Sequence, residues 1–290
     1  MLAATAAATN PATIPATTAG TALTATADNA PLAARIAEVS AKYLGTRYLL
    51  DPLGEGPEGL IDRDPLLRFD RFDCQTFVET VLAEARSATP DEILPELNAL
   101  RYRDGRIDFA ARNHFPDLDW IPNNVARGIL VELTASVAGA HPLSSARALI
   151  TRRSWLARLA QNPSQARNAY LRSSRAARAA LQSMAAAAQD EEAVIRYIPK
   201  EALGDGEVLA RIPSAAIVFF VWPHARTLAV TGARENISHF GFALRERGVL
   251  VLRHASSGRA HAVVDVPLAG YLATLARSRS FEGIAVFGVR

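Results

Sequence analysis

Cysteine, methionine and acid in one long stretch are what this chain lacks. It has one Cys and two Met in 290 residues, and no Asp or Glu between positions 142 and 189. One cysteine excludes an internal disulfide and every multi-cysteine zinc or iron–sulfur site. No apolar run reaches the roughly 18 residues needed to cross a bilayer. The most apolar stretch, "AAIVFFVW" at 215–222, has the length of a strand. No membrane span is therefore expected. The first 28 residues hold 11 Ala and 8 Thr without a basic residue, so the charged start of a signal peptide is missing. Positions 1–31 read as a flexible Ala/Thr-rich lead, such as remains after a signal is removed. Net charge is only +3, too small an excess for a dedicated nucleic-acid binder.

What is present begins with helical spacing at Leu32, Ile36, Val39 and Tyr43, stopped by Gly45. A Gly/Pro-rich loop follows. In "RFDRFDCQTFVETVLAEA" Asp73 is an N-cap, Cys74 opens the first turn, and Phe77, Val78, Val81, Leu82 and Ala85 form one apolar stripe. The stretch "RDGRIDFAARNHFPDLDWIPNN" is too rich in Asp, Asn and Pro for a long regular element. Positions of about 142–190, Ala-rich with eight arginines, predict a helical insertion whose charges form a solvated face. Five β-branched or aromatic runs then alternate with turn residues from position 215 to the end. Helices first and strands last predict an α+β fold, with the cysteine helix packed on an antiparallel sheet. Positions 32–290 are expected to form a single domain.

A thiol at a helix N-terminus meets partial positive charge and free N–H groups, which predicts a lowered pKa and nucleophilic chemistry. The competing reading is a small buried hydrophobe. Of the six histidines, at 114, 141, 224, 239, 254 and 261, two stand on consecutive predicted strands: His239 in "ISHFGFAL" and His254 in "VLVLRHAS". Paired strands bring same-face residues together, giving a nucleophile, a base and an orienter. His261 is the alternative orienter. No metal and no cofactor are needed. Asp73 reads as a cap with a possible hand in orienting substrate, and Ser238 as a hydrogen-bonding group beside the base. Glu79, five positions after Cys74, points about 140° away from it, toward a neighbouring loop. Trp120 and Asn124 are candidates to line a sugar-binding cleft; the alternative is a loop that locks itself together.

The stretches "LGTRY", "DPLGEG", "RFDRFDCQTFVETVLAEA", "HFPDLDW", "ISHFGFAL" and "RHASS" resemble the N-acetylmuramoyl-L-alanine amidase-like family, a branch of the NlpC-type cell-wall cysteine hydrolases. That resemblance implies a papain-like (NlpC-type) core acting on an amide bond of peptidoglycan or muropeptides. It further implies Cys74 as nucleophile, His239 as its partner, His254 as orienting residue, and Tyr48 near the thiol as a second oxyanion donor. The expected protein is an exported or periplasmic monomer with a wall-derived substrate and no nucleic-acid partner. A γ-D-glutamyl-diamino-acid endopeptidase and a silent wall-binding module are the alternatives.

Overall fold

The computed structural model describes residues 30–161, 169–222 and 234–290. Most of the expected lead, and His224, lie outside these. The first helix, α1 (Ala30–Ala41), buries Ile36 and Val39 and starts just ahead of the domain boundary expected at 32. Strand β1 (Arg47–Tyr48) pairs in parallel with β2 (Arg71–Phe72), which runs straight into α2 (Cys74–Arg86).

Helix α2 begins where it does because Asp73 and Thr76 cap it reciprocally. Asp73 Oδ1 accepts the Thr76 N–H at 2.8 Å, and Thr76 Oγ1 accepts the Asp73 N–H at 3.0 Å. Its expected apolar stripe is wholly buried. Each of the four larger side chains in it stabilises the fold by about 1.5–3 kcal/mol. Helix α3 (Ile93–Arg101) packs on α2. The polar, aromatic segment after it forms only short 3-10 turns and one π turn, Pro116–Trp120, before α4 (Ile121–Ala126), β3 (Leu130–Glu132) and α5 (Thr134–Ala138).

The expected helical insertion starts differently. Strand β4 (Ser144–Ile150) pairs antiparallel with β5 (Glu191–Pro199), and α6 (Arg152–Gln161), α7 (Ala169–Ser173) and α8 (Arg175–Ala187) lie between them. Ala146, Ala148 and Ile150 point inward while Ser145, Arg147 and Leu149 point out. This period of two, with β5 as partner, outweighs the helix propensity of Ala and Arg. After α9 (Gly206–Arg211) come β6 (Ala216–Val221), β7 (Ile237–Glu246), β8 (Val249–Ala255), β9 (Val263–Pro267), α10 (Leu268–Leu275) and β10 (Gly283–Val289), so all five expected C-terminal strands form.

The main sheet runs β4-β5-β10-β6-β7-β8-β9, with β3 also on β10. One face carries α1 and α2 over Phe219, Phe240, Phe242 and Trp120. The other carries α5, α9 and α10 over Val218, Phe220 and Leu252. Strands β7 and β8 meet through Arg247 and Gly248, both at positive φ (50° and 82°), the geometry of a tight two-residue hairpin turn.

Candidate active site

Cys74 is the first residue of α2 and is partly exposed. The backbone N–H groups of Phe240, Gln75 and Cys74 itself lie near its sulfur and favour the thiolate. The Phe240 contact sets the thiol against β7 at the residue after His239. The β7–β8 ladder begins at Phe242 opposite Arg253, so the strands are unpaired at the end where the thiol sits.

Two features of β7 aim His239. Phe220 of β6 pairs with His239 while Val221 pairs with Ile237, so Ser238 is an extra residue, a bulge. Bulges of this kind re-aim the neighbouring side chain. The His239 ring then stacks on Phe220, with centroids 5.8 Å apart and planes 22° off parallel. His239 Nε2 lies 2.5 Å from His254 Nδ1, which leaves His239 Nδ1 as the ring nitrogen free of that pairing. One further step of the hairpin register puts His254 opposite Gly241, so the two imidazoles meet diagonally across the strands. Arg253, next to His254, forks onto Asp265 with both bonds at 2.7 Å and donates to Ser40 of α1 at 3.0 Å, fixing β8 between β9 and α1.

Electrostatically the site is neutral at rest. Burial, and then the Asp73 charge, push the Cys74 thiol well above the ordinary range, outweighing the three N–H groups that lower it. Burial of the sulfur thus opposes the lowering expected of a helix N-terminus. Burial and the neighbouring His254 hold His239 well below the usual imidazole range, and burial holds His254 at about 4 against the pull of Asp265. Burial thus favours the uncharged forms of the thiol and of both imidazoles. Charge appears only when a proton passes from sulfur to His239.

The remaining expected residues divide. Asp73 is committed to structure: Oδ1 caps α2 and Oδ2 accepts the Asp51 N–H at 2.8 Å. Ser238 stands beside His239 with its Oγ buried and unbonded to any protein group. Tyr48 is partly exposed, its ring tilted against His261 at 5.3 Å. His261 itself is exposed and at positive φ, and its ring contact is with Tyr48. Trp120 and Asn124 are both 0% exposed. The Trp120 ring packs on Phe240 and Phe219, and Asn124 donates to the Leu100 and Trp120 carbonyls. Neither lines a cleft, because the strand face above "HFPDLDW" takes up the aromatic surface that a sugar would need. Glu79 points not to a loop but to Arg101 of α3 at 2.9 Å, both side chains buried. Phe220, Gly241 and Tyr271 also surround the histidines; no spacing in the sequence marks them.

A family model of AmiA-like proteins, described as N-acetylmuramoyl-L-alanine amidase-like, matches residues 38–278. The chain belongs to this family. A crystal structure of a Legionella pneumophila protein is similar at TM-score 0.81 and 30% identity, covering 92% of each chain. An N-acetylmuramoyl-L-alanine amidase from Bacteroides uniformis is similar at TM-score 0.63 and 25% identity, over 89% of this chain and 99% of its own. No curated protein matches the chain in sequence. Among the described residues of this amidase-like chain, no helix is long and apolar enough to cross a membrane, and no cluster of three or more His, Cys, Asp or Glu side chains is arranged to hold a metal ion.

Proposed function

We propose that the protein is a cysteine amidase of papain-like architecture that cuts the bond between the lactyl group of muramic acid and L-alanine in peptidoglycan or its muropeptides. The observation that carries the reading is the Phe240 N–H to Cys74 contact, which sets the thiol beside the strand bearing the His239–His254 pair. Family membership and the likeness to a Bacteroides uniformis amidase support the bond class.

In this reading His239 Nδ1 takes the thiol proton as Cys74 Sγ attacks the lactyl carbonyl. His254 Nδ1 accepts the Nε2–H of His239 and keeps that tautomer in place. The negative charge on the tetrahedral oxygen falls to N–H groups at the start of α2. His239 then gives its proton to the departing L-alanine amine, leaving a lactyl thioester on Cys74. Water, deprotonated by His239, attacks the thioester, and the thiol recovers its proton. A site neutral at rest suits this order, since it holds no charge until substrate has excluded water. Ser238, with its unbonded hydroxyl one residue from the base, is the group assigned to bind the substrate amide, and Tyr48 keeps the role of second oxyanion donor that the family resemblance implies. In this reading the protein acts outside the cytoplasm on wall-derived material, as a monomer and with a thiol rather than a metal as its reactive group.

The test is the mass of products from a defined muropeptide. Free stem peptide plus sugar is the expected result, and Cys74→Ala should lower turnover by at least about 10³-fold. Products in which L-Ala-D-Glu stays on the sugar, or turnover undiminished in Cys74→Ala, would overturn the reading.

A further inference from the structure

Helix α10 crosses the sheet face that carries the two histidines. Its apolar positions Leu268, Leu272 and Leu275 are buried in the second core. Tyr271 lies on the same stripe, three residues after Leu268, yet it stays partly exposed. Its ring meets His254 at 5.4 Å and 62°, and Phe220 at 5.3 Å and 73°. Phe220 in turn stacks on His239, and His239 meets His254 at 4.8 Å and 72°. The four rings therefore form a closed circuit, with each histidine held by the other and by one carbon ring. Burial, and then the negative charge of Cys74 in its thiolate form, raise the Tyr271 phenol to about 12.

The strand side of His254 is met by bare backbone. A Cβ on Gly241 would stand 2.8 Å from His254 Cβ and 2.7 Å from the Arg253 carbonyl oxygen, so only the absent side chain lets His254 lie this close to β7. Close backbone contact at Cβ fixes where the His254 side chain starts but not the plane of its imidazole, which a neighbouring ring must set.

We infer that Tyr271 is a positioning residue for the reaction proposed above: its ring is the wall that holds His254 edge-on, so that Nδ1 faces His239 Nε2. The inference rests on that functional reading for its purpose, but not for its test. The ring supplies the contact and the hydroxyl is dispensable to it. Phe should therefore replace Tyr271, and a flexible aliphatic side chain should not.

The experiment compares wild type with Tyr271→Phe, Tyr271→Leu and Tyr271→Met in the full chain, using three readouts. The first is the low-field proton resonance of the His239–His254 hydrogen bond, the second the rate of Cys74 alkylation by iodoacetamide between pH 6 and 10, and the third muropeptide turnover. Tyr271→Phe is expected to keep all three within about twofold. The aliphatic variants are expected to lose the resonance, to slow alkylation at neutral pH by about tenfold, and to lower kcat by a similar factor with KM little changed. Met, close to Tyr in reach, serves if Leu does not fold. Retention of the resonance and pH profile in an aliphatic variant would overturn the inference, as would a Phe variant as impaired as the aliphatic ones. If wild type cleaves no muropeptide, the functional reading falls while resonance and alkylation still decide the role of Tyr271.

Discussion

At the scale of single residues, the site is a case of desolvation prevailing over local field. Cys74 has the helix end, the N–H groups and the histidine that activate a thiol, yet burial of the sulfur and the Asp73 charge work against its ionisation. His254 shows the same physics from the basic side. Its folded pKa of about 4 lies below the unfolded value near 6.5, so in the window between them the unfolded chain binds the proton more readily. Its contribution to stability is full above about pH 6.5 and is lost as pH falls toward 4. His254→Gln removes this titration. Measured by denaturant midpoint, the stability of wild type relative to His254→Gln should therefore drop by about 2–3 kcal/mol from pH 7 to pH 4. A constant difference would place the charge of His254 elsewhere.

At the scale of elements, the β7–β8 hairpin does most to build the site, through one bulge, one glycine and one two-residue turn. Gly241→Ala should overpack the strand pair at about 1–3 kcal/mol and push His254 from His239. A thermal melt should show a lower midpoint and the muropeptide assay a fall in kcat. This hairpin was legible because β-branched and aromatic letters alternate around "RERG", and alternation fixes which residues share a face. The α2 stripe was legible for the same reason at a period near four. Strand β4 was not, since "SSARALI" carries its alternation in alanines, whose small side chains signal helix as readily as strand. The burial of Trp120 was equally hidden: a loop rich in Asp and Pro looks wet until a strand face is seen to cover it. Tyr271 and Gly241 have no local cue, because their neighbours come from elements far away in the chain.

At the scale of the molecule, the Gly-rich loop before α2 is tied down by charge rather than by regular structure. Arg112 reaches Glu55 and Asp62, all three side chains nearly buried, with Asp62 at 2.8 Å and Glu55 Oε1 at 2.7 Å from Nε. The helices of the basic insertion rest on this loop through Ile61 and on Phe109, to which Trp155 stacks at 5.9 Å. Arg112→Met would leave two carboxylates buried without their cation, and a loss of about 3–5 kcal/mol in urea unfolding is expected at pH 7. The loss should shrink in acid, where Glu55, already raised by burial, takes up a proton. Strand β10 has a different consequence. It follows every other strand in the chain and yet lies between β5 and β6. During synthesis the cysteine helix and the histidine hairpin leave the ribosome well before the strand that joins the two halves of their sheet. The nascent chain must therefore carry an unsealed sheet, with both flanking strand edges exposed, until residues 283–289 arrive, so that a hydrolase built this way cannot close its working site before β10 has been made.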